Sequence, residues 1–133
     1  MSQLGYGKAD VVGSPFDFYT NAALGGITGT LATGSTLQMN NNKLIVYQIT
    51  SALAALTVTL PLNPQDGAVA EVSNVVGGQT ITSLTINANT NDSVVGTAVS
   101  ATSTAAGVTY SFKYSLNGDV TKGAGPRSWL RTA

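Results

Sequence analysis

The chain has 133 residues, and only 9% of them are charged, with six Lys or Arg, six Asp or Glu and a net charge of zero. Average soluble proteins carry about 25% charged residues, so a surface with so few charges gives poor solubility to a free monomer. Such a surface is better suited to burial against partners. A neutral chain also lacks the basic face that phosphate binding needs, which argues against nucleic acid as a partner. The length fits one domain with a proper hydrophobic core.

Two residue types that carry much of protein chemistry are absent. Without Cys there is no disulfide framework and no thiolate nucleophile, and without His the commonest general base and transition-metal ligand are missing. No apolar run approaches the roughly 20 residues of a membrane helix, so we expect no membrane partner. The first residues lack the basic start and apolar core of a signal peptide, which predicts synthesis and assembly in a cytosol.

Residues 1–36 form the least regular segment of the sequence. Seven Gly and one Pro interrupt every helical or strand period, yet aromatic and aliphatic residues are scattered among them. Disordered segments are normally poor in such residues. Two interpretations stay open: a long loop that wraps its own domain, or an arm that becomes ordered on a neighbouring subunit. We favour an extended Gly-rich N-terminal arm over residues 1–36, anchored by residues 14–19, followed by a β domain over residues 37–133.

From residue 36 onward, alternating apolar and polar residues predict a succession of short strands. Residues 44–50 are the most β-prone run and are apolar on both faces at first, which indicates a central strand or a subunit contact. Residues 57–60 and 68–75 alternate with period two on either side of a break at residues 61–67. Pro cannot donate to a sheet ladder and Asp-Gly tolerates a tight turn, so this break predicts a sharp turn between two strands.

The second half of the sequence continues in the same way. In residues 80–88 the alternation changes phase between Ile81 and Leu84, which predicts a β-bulge. Residues 108–116 alternate well, with an aromatic stripe that we interpret as a core face. Asn-Gly-Asp at residues 117–119 is typical of a hairpin turn. Since turns recur about every 8–12 residues and no helical stripe is found, we predict an all-β fold: an antiparallel sandwich, jelly-roll or β-prism-like domain.

The few acidic residues are better explained by structure than by catalysis. Asp66, Asp92 and Asp119 accompany turn signals, where a carboxylate commonly accepts bonds from its own backbone, and Glu71 is expected to be a solvated strand residue. Residues 89–92 place oxygen ligands at alternate positions, but one Asp without a following Glu is weak support for calcium. We therefore predict no catalytic residue, no metal site, no cofactor and no enzymatic activity. A small carbohydrate-binding or hydrolytic protein, based on the aromatic stripe and these acids, is the least favoured alternative.

Several segments, taken in order, share a pattern with a known group of proteins. They are a VTLP strand end at residues 58–61, an Asp-Gly turn at residues 66–67, a strand at residues 84–88, a VVG step at residues 94–96, the aromatic strand at residues 108–114, and the late Trp129. This order resembles a module common in bacteriophage virion proteins, over roughly residues 53–131. Such modules occur in tail fibres, head fibres and capsid decoration proteins, often as intertwined trimers. The resemblance implies a structural role in a virion.

Together, the composition and the resemblance predict a capsid decoration or cementing protein that binds and stabilises the outer shell, located in the virion and assembled in the host cytoplasm. The alternative is a tail or head fibre component involved in host attachment. We expect a homotrimer whose other partners are the major capsid protein or other virion proteins. Trp129 is expected to cap the core or pack on a neighbour. Candidate partner contacts are Phe16, Phe18, Tyr19 and Trp129.

Overall fold

The computed structural model describes residues 16–20, 29–40, 43–47, 51–75, 79–95 and 99–132. Within these ranges the chain is almost entirely β-structure, with a single 3-10 turn at Val120–Lys122. The strands are Phe16–Thr20 (β1), Gly29–Thr30 (β2), Ser35–Gln38 (β3), Lys43–Tyr47 (β4), Leu56–Thr59 (β5), Val69–Asn74 (β6), Ile81–Asn87 (β7), Ser93–Val95 (β8), Val99–Thr104 (β9), Thr109–Ser115 (β10) and Ser128–Arg131 (β11). The predicted all-β class is confirmed.

The strands form two mixed sheets. One has the order β9-β7-β5-β3, and the other has the order β2-β1-β4-β6-β10-β11-β8. The β9/β7, β6/β10 and β10/β11 pairs are antiparallel, and the remaining pairs are parallel. A purely antiparallel sandwich is therefore wrong as a prediction, because more than half of the strand pairs run in the same direction.

The parallel pairs arise because the chain changes sheet with every strand from β3 to β10. A parallel pair needs a crossover of a dozen or more residues, and in the β3/β5, β4/β6 and β5/β7 pairs the crossover contains a strand of the opposite sheet. Leu44 pairs with Val72 and Leu56 pairs with Leu84, so one circuit takes 28 residues in both sheets. The middle of the domain is thus a short coil of paired strands, which ends in the antiparallel strands β9, β10 and β11.

One hydrophobic core lies between the inner faces of the two sheets. Alternation in β4, β5, β6 and β10 sends every second side chain into this core, and the side chains between them remain partly or fully exposed. The largest fully buried side chains are Trp129, Tyr114, Phe112, Met39, Leu44, Leu56, Leu60, Ile81, Leu84 and Ile86. The aromatic stripe of β10 is therefore part of the core, as interpreted from its alternation.

Two local predictions in the second half of the chain are wrong. The register between β7 and β9 keeps the same offset from Val99–Ile86 to Thr104–Ile81, with only the Thr82–Ser103 pair missing, so the change of phase involves no inserted residue. The backbone irregularity lies at Ser103 in β9, whose φ of 64° departs from strand geometry. The turn at residues 117–119 does not close a tight hairpin either, because β10 and β11 are joined by residues 116–127, which include the 3-10 turn.

Part of the segment predicted as an N-terminal arm lies in the two sheets of this domain. β1 pairs with β4 over Phe16–Lys43 to Thr20–Tyr47, and β3 pairs with β5 over Ser35–Leu56 to Gln38–Thr59. The rest of that prediction, over residues 1–15 and 21–28, falls outside the described residues. The predicted boundary at residue 36 lies within β3.

Candidate partner-binding surface

The outer face of the seven-stranded sheet carries Phe16 and Phe18, the exposed aromatic side chains among the described residues. Strand register places Phe18 beside Ile45, Ile45 beside Ser73, and Ser73 beside Thr109, in one row across β1, β4, β6 and β10. The neighbouring row begins with Phe16 beside Lys43. Side chains that are partners in register share one face of a sheet. We call this outer face of β1, β4, β6 and β10 the aromatic face.

Phe16 and Phe18 are 37% and 39% exposed, although Phe is a residue that proteins usually bury. Their ring centroids are 5.9 Å apart with an interplanar angle of 50°, so the two rings form one apolar unit on the surface. Ile45, directly beside Phe18, is half-buried. An exposed aromatic unit with an aliphatic neighbour is typical of the centre of a protein–protein contact.

Polar groups complete the aromatic face on its β6 and β10 side. Lys43 Nζ lies 3.2 Å from Glu71 Oε1, and both side chains remain partly exposed. Ser73 Oγ and Thr109 Oγ1 share a hydrogen bond of 2.9 Å between β6 and β10. Glu71 was expected to be a solvated strand residue, and its side chain is 29% exposed in this ion pair. An apolar patch beside partly solvated polar groups matches the core-and-rim arrangement of interfaces.

Tyr19 points to the opposite side of β1 from the two Phe residues and packs against the core. Its ring lies beside Gly29, where an added Cβ would come within 2.8 Å of the ring. Burial raises the pKa of the Tyr19 hydroxyl above 10.0, and the neighbouring Asp17 carboxylate adds to the increase. The Tyr19 ring thus packs against Gly29 of β2. The Tyr19 side chain does not lie on the aromatic face.

Trp129 is fully buried in the core, with 0% exposure. It is the register partner of Tyr114, and their ring centroids are 5.1 Å apart at 59°. The indole Nε1–H has no hydrogen-bond partner among the described residues, so the side chain is held by packing alone. A side chain without exposed surface cannot contact a partner, which leaves Phe16 and Phe18 as the candidate contacts on the aromatic face.

Asp92 has a structural role that sequence reasoning missed. Its side chain is only 1% exposed and lies 2.8 Å from an Arg127 guanidinium nitrogen, and Tyr114 donates its hydroxyl at 3.4 Å. Arg127 Nε also donates to the Asn91 carbonyl oxygen at 3.0 Å. Its guanidinium therefore sits at the turn of residues 89–92, the weak calcium-loop candidate, where its charge opposes a second cation. No cluster of three His, Cys, Asp or Glu suited to a metal is found in the described residues.

The other two turn aspartates fix loops. Asp119 Oδ1 accepts from the Thr121 backbone N–H at 3.0 Å and from its hydroxyl at 2.6 Å, as expected for a residue that caps its own turn. These hydrogen bonds lower the pKa of the Asp119 carboxyl below its ordinary value. Asp66 instead accepts from the Leu116 backbone N–H at 2.9 Å, 50 residues away. It thereby joins the loop before β6 to the loop after β10.

A cleft of about 450 Å³ lies where these two loops meet the end of β11. Lys113 on β10, Lys122 in the 3-10 turn and Arg131 on β11 are among the residues that line it. We call it the basic cleft. Asp66 and Asp119 line it as well, together with small and hydroxyl-bearing residues.

The comparisons with known proteins assign no family. No protein-family model matches the chain, and no curated protein is significantly similar to it. Across the residues that the structure describes, no helix is long and apolar enough to cross a membrane. Any functional conclusion therefore depends on the residues and surfaces described above.

Proposed function

We propose that the chain is a non-enzymatic structural protein of a bacteriophage virion, which binds the outer capsid shell and stabilises it through subunit contacts. The observation that carries the proposal is the exposure of Phe16 and Phe18 at 37% and 39% on a sheet face bounded by polar pairs. The resemblance of residues 53–131 to virion modules supplies the setting. The low charged fraction is compatible with extensive burial against neighbours.

The proposed partners are further copies of the same chain, as a homotrimer, and the major capsid protein. A decoration protein needs no reactive group, since it acts by burying surface across the boundaries between capsomers. An aromatic pair is suited to this role because Phe buries a large area with few rotatable bonds. The aromatic face is proposed as the surface that makes these contacts.

The direct test uses capsids of the phage that encodes the chain, prepared without the protein. We expect added protein to bind them and to raise their melting temperature, and the F16S/F18S variant to lose both effects. Val120→Ser is the matched control, because Val120 is 93% exposed but lies in the 3-10 turn, away from the aromatic face. Absence of binding by the wild-type protein would contradict the proposal, and immunogold label on the tail would identify a fibre component instead.

A further inference from the structure

We propose that Asn117 is a site of spontaneous deamidation in the folded protein, at which the backbone nitrogen of Gly118 attacks the Asn117 side chain. Asn is a chemically labile residue, and Asn117-Gly118 is the only Asn-Gly pair in the sequence. The pair lies in the loop between β10 and β11. The proposal does not depend on a role in a virion.

The reaction joins two groups of adjacent residues. The Gly118 nitrogen loses its proton to base and bonds to Asn117 Cγ, and the side-chain nitrogen takes up a proton and leaves as ammonia. One water molecule then opens the resulting five-membered succinimide at either of its carbonyl carbons. One opening gives aspartate, and the other gives isoaspartate, in which the main chain runs through the former side chain. Because the attack is intramolecular, water is the only co-reactant consumed.

The Asn117 side chain is available for this attack. It is exposed, and its amide makes no hydrogen bond with the described residues. The amides of Asn74 and Asn89, in contrast, donate to main-chain carbonyl oxygens, which fixes their rotamers. The Asn117 Cγ is therefore free to turn toward the nitrogen that follows it.

The Gly118 nitrogen is weakly held and reached by solvent. Its N–H lies 3.4 Å from the Ser115 carbonyl oxygen, whereas the N–H groups of Asp119 and Ala124 make hydrogen bonds of 3.0 and 2.9 Å in the same loop. A distance of 3.4 Å is long for an N–H donor, so little is lost when the nitrogen leaves this bond. Gly118 also lines the basic cleft, which gives water and base access to it. Without a Cβ, the residue offers no obstruction to the approach.

The two products are expected to affect the loop differently. Aspartate keeps the main chain as it is and adds one negative charge to a neutral chain. Isoaspartate adds a methylene group to the main chain just before Gly118, which packs closely on the carbonyl oxygens of Ala124 and Gly125. That contact leaves no room for a longer main chain, so we expect isoaspartate to lower the melting temperature and aspartate to leave it nearly unchanged.

The test incubates the folded protein at mildly alkaline pH and follows deamidation by mass spectrometry of tryptic fragments. Cleavage after Lys113 and Lys122 isolates residues 114–122, in which Asn117 is the only Asn. We expect this fragment to yield both aspartate and isoaspartate, on the order of tenfold faster than the exposed Asn87, which is followed by Ala88 with its Cβ.

Two further positions serve as controls. Asn63 is exposed but is followed by Pro64, which has no N–H, so no succinimide forms there. Asn117→Gln should stop the conversion of fragment 114–122 and keep the melting temperature, because the longer side chain would have to close a six-membered ring. Asn87→Gln is the matched variant and should leave the conversion of Asn117 unchanged. The Asn117→Asp variant should melt close to the wild type, and an aged sample rich in isoaspartate should melt lower.

Three results would overturn the proposal. They are no conversion of Asn117 in the folded protein, conversion only after unfolding in urea, and equal conversion at Asn87. Aspartate formed without isoaspartate would also contradict it, because direct hydrolysis of the amide needs no attack by Gly118.

Discussion

At the residue scale, the most informative group is the Asp92 carboxylate, which is buried with an arginine partner that is 42% exposed. Removing the charge leaves the Arg127 guanidinium without its partner, but solvent reaches that side chain and reduces the penalty. We expect Asp92→Asn to lower the free energy of unfolding by about 1–3 kcal/mol, less than for a fully buried pair. Urea denaturation measures this, with Glu71→Gln as the control.

The Glu71 control breaks an ion pair in which both side chains are partly exposed. Exposed pairs contribute about 0–1 kcal/mol, so the control should cost clearly less than Asp92→Asn. Equal losses in the two variants would contradict the structural role assigned to Asp92. The sequence indicates that Asp92 follows a turn, but the partner is 35 residues away, and only the tertiary fold brings Arg127 to it.

Ionisation of the Tyr114 hydroxyl makes the stability of the fold depend on pH. Burial raises the pKa of its hydroxyl above the ordinary value of 10.0, and the Asp92 carboxylate raises it further. The folded state therefore retains the proton that the unfolded state releases at about pH 10. This contribution to stability is complete below pH 10.0 and is lost as the pH rises through the folded-state pKa.

We expect the free energy of unfolding to fall more steeply above pH 10 in the wild-type protein than in the Tyr114→Phe variant. Denaturant titrations at a series of alkaline pH values test this. Absorbance of tyrosinate gives an independent check, since the signal of Tyr114 should develop later than that of an exposed tyrosine. Parallel pH profiles for the two proteins would show that Tyr114 does not contribute.

At the scale of elements, the loop between β10 and β11 depends on Gly118. Its φ is 77°, and a Cβ there would collide with the carbonyl oxygens of Ala124 and Gly125. Gly34 has a similar φ of 85° but open space around it. We expect Gly34→Ala to cost about 1 kcal/mol from backbone strain, and Gly118→Ala to cost about 2–4 kcal/mol because overpacking is added.

Thermal unfolding of Gly34→Ala and Gly118→Ala separates backbone strain from steric collision. Both positions have a positive φ, but only at Gly118 would the added Cβ collide with other atoms. Equal costs would mean that the loop moves away from the added methyl group. The comparison also tests the observed path of the loop at residues 116–127. In a tight hairpin closed at Asn-Gly-Asp, this long loop would not exist.

Sequence patterns located the strands well. The runs expected at residues 44–50, 57–60 and 68–75 match Lys43–Tyr47, Leu56–Thr59 and Val69–Asn74 within a few residues. Alternation succeeds here because each strand has one face in the core. It missed Phe16–Thr20, which lies in a segment rich in Gly, and it could not predict parallel pairing, since register between strands 28 residues apart leaves no local signal.

At the scale of the whole molecule, a sequence with few charged residues presents the aromatic face on the part of the chain that the structure describes. Phe16 and Phe18 were expected from sequence as partner contacts, and both are exposed on this face. Tyr19 and Trp129 were grouped with them because aromatic residues are common at interfaces, but the first packs on the core and the second lies within it. Composition cannot separate these cases, since burial depends on which face of a strand meets the opposite sheet.

Sedimentation velocity over a range of protein concentrations tests most directly whether the chain associates through its aromatic face. We predict that the wild-type protein and the Val120→Ser control form a trimer as concentration rises. The F16S/F18S variant should associate about 100-fold more weakly, as expected when residues at the centre of an interface are removed. A wild-type protein that stays monomeric throughout, or a variant that associates as strongly as the wild type, would contradict the account.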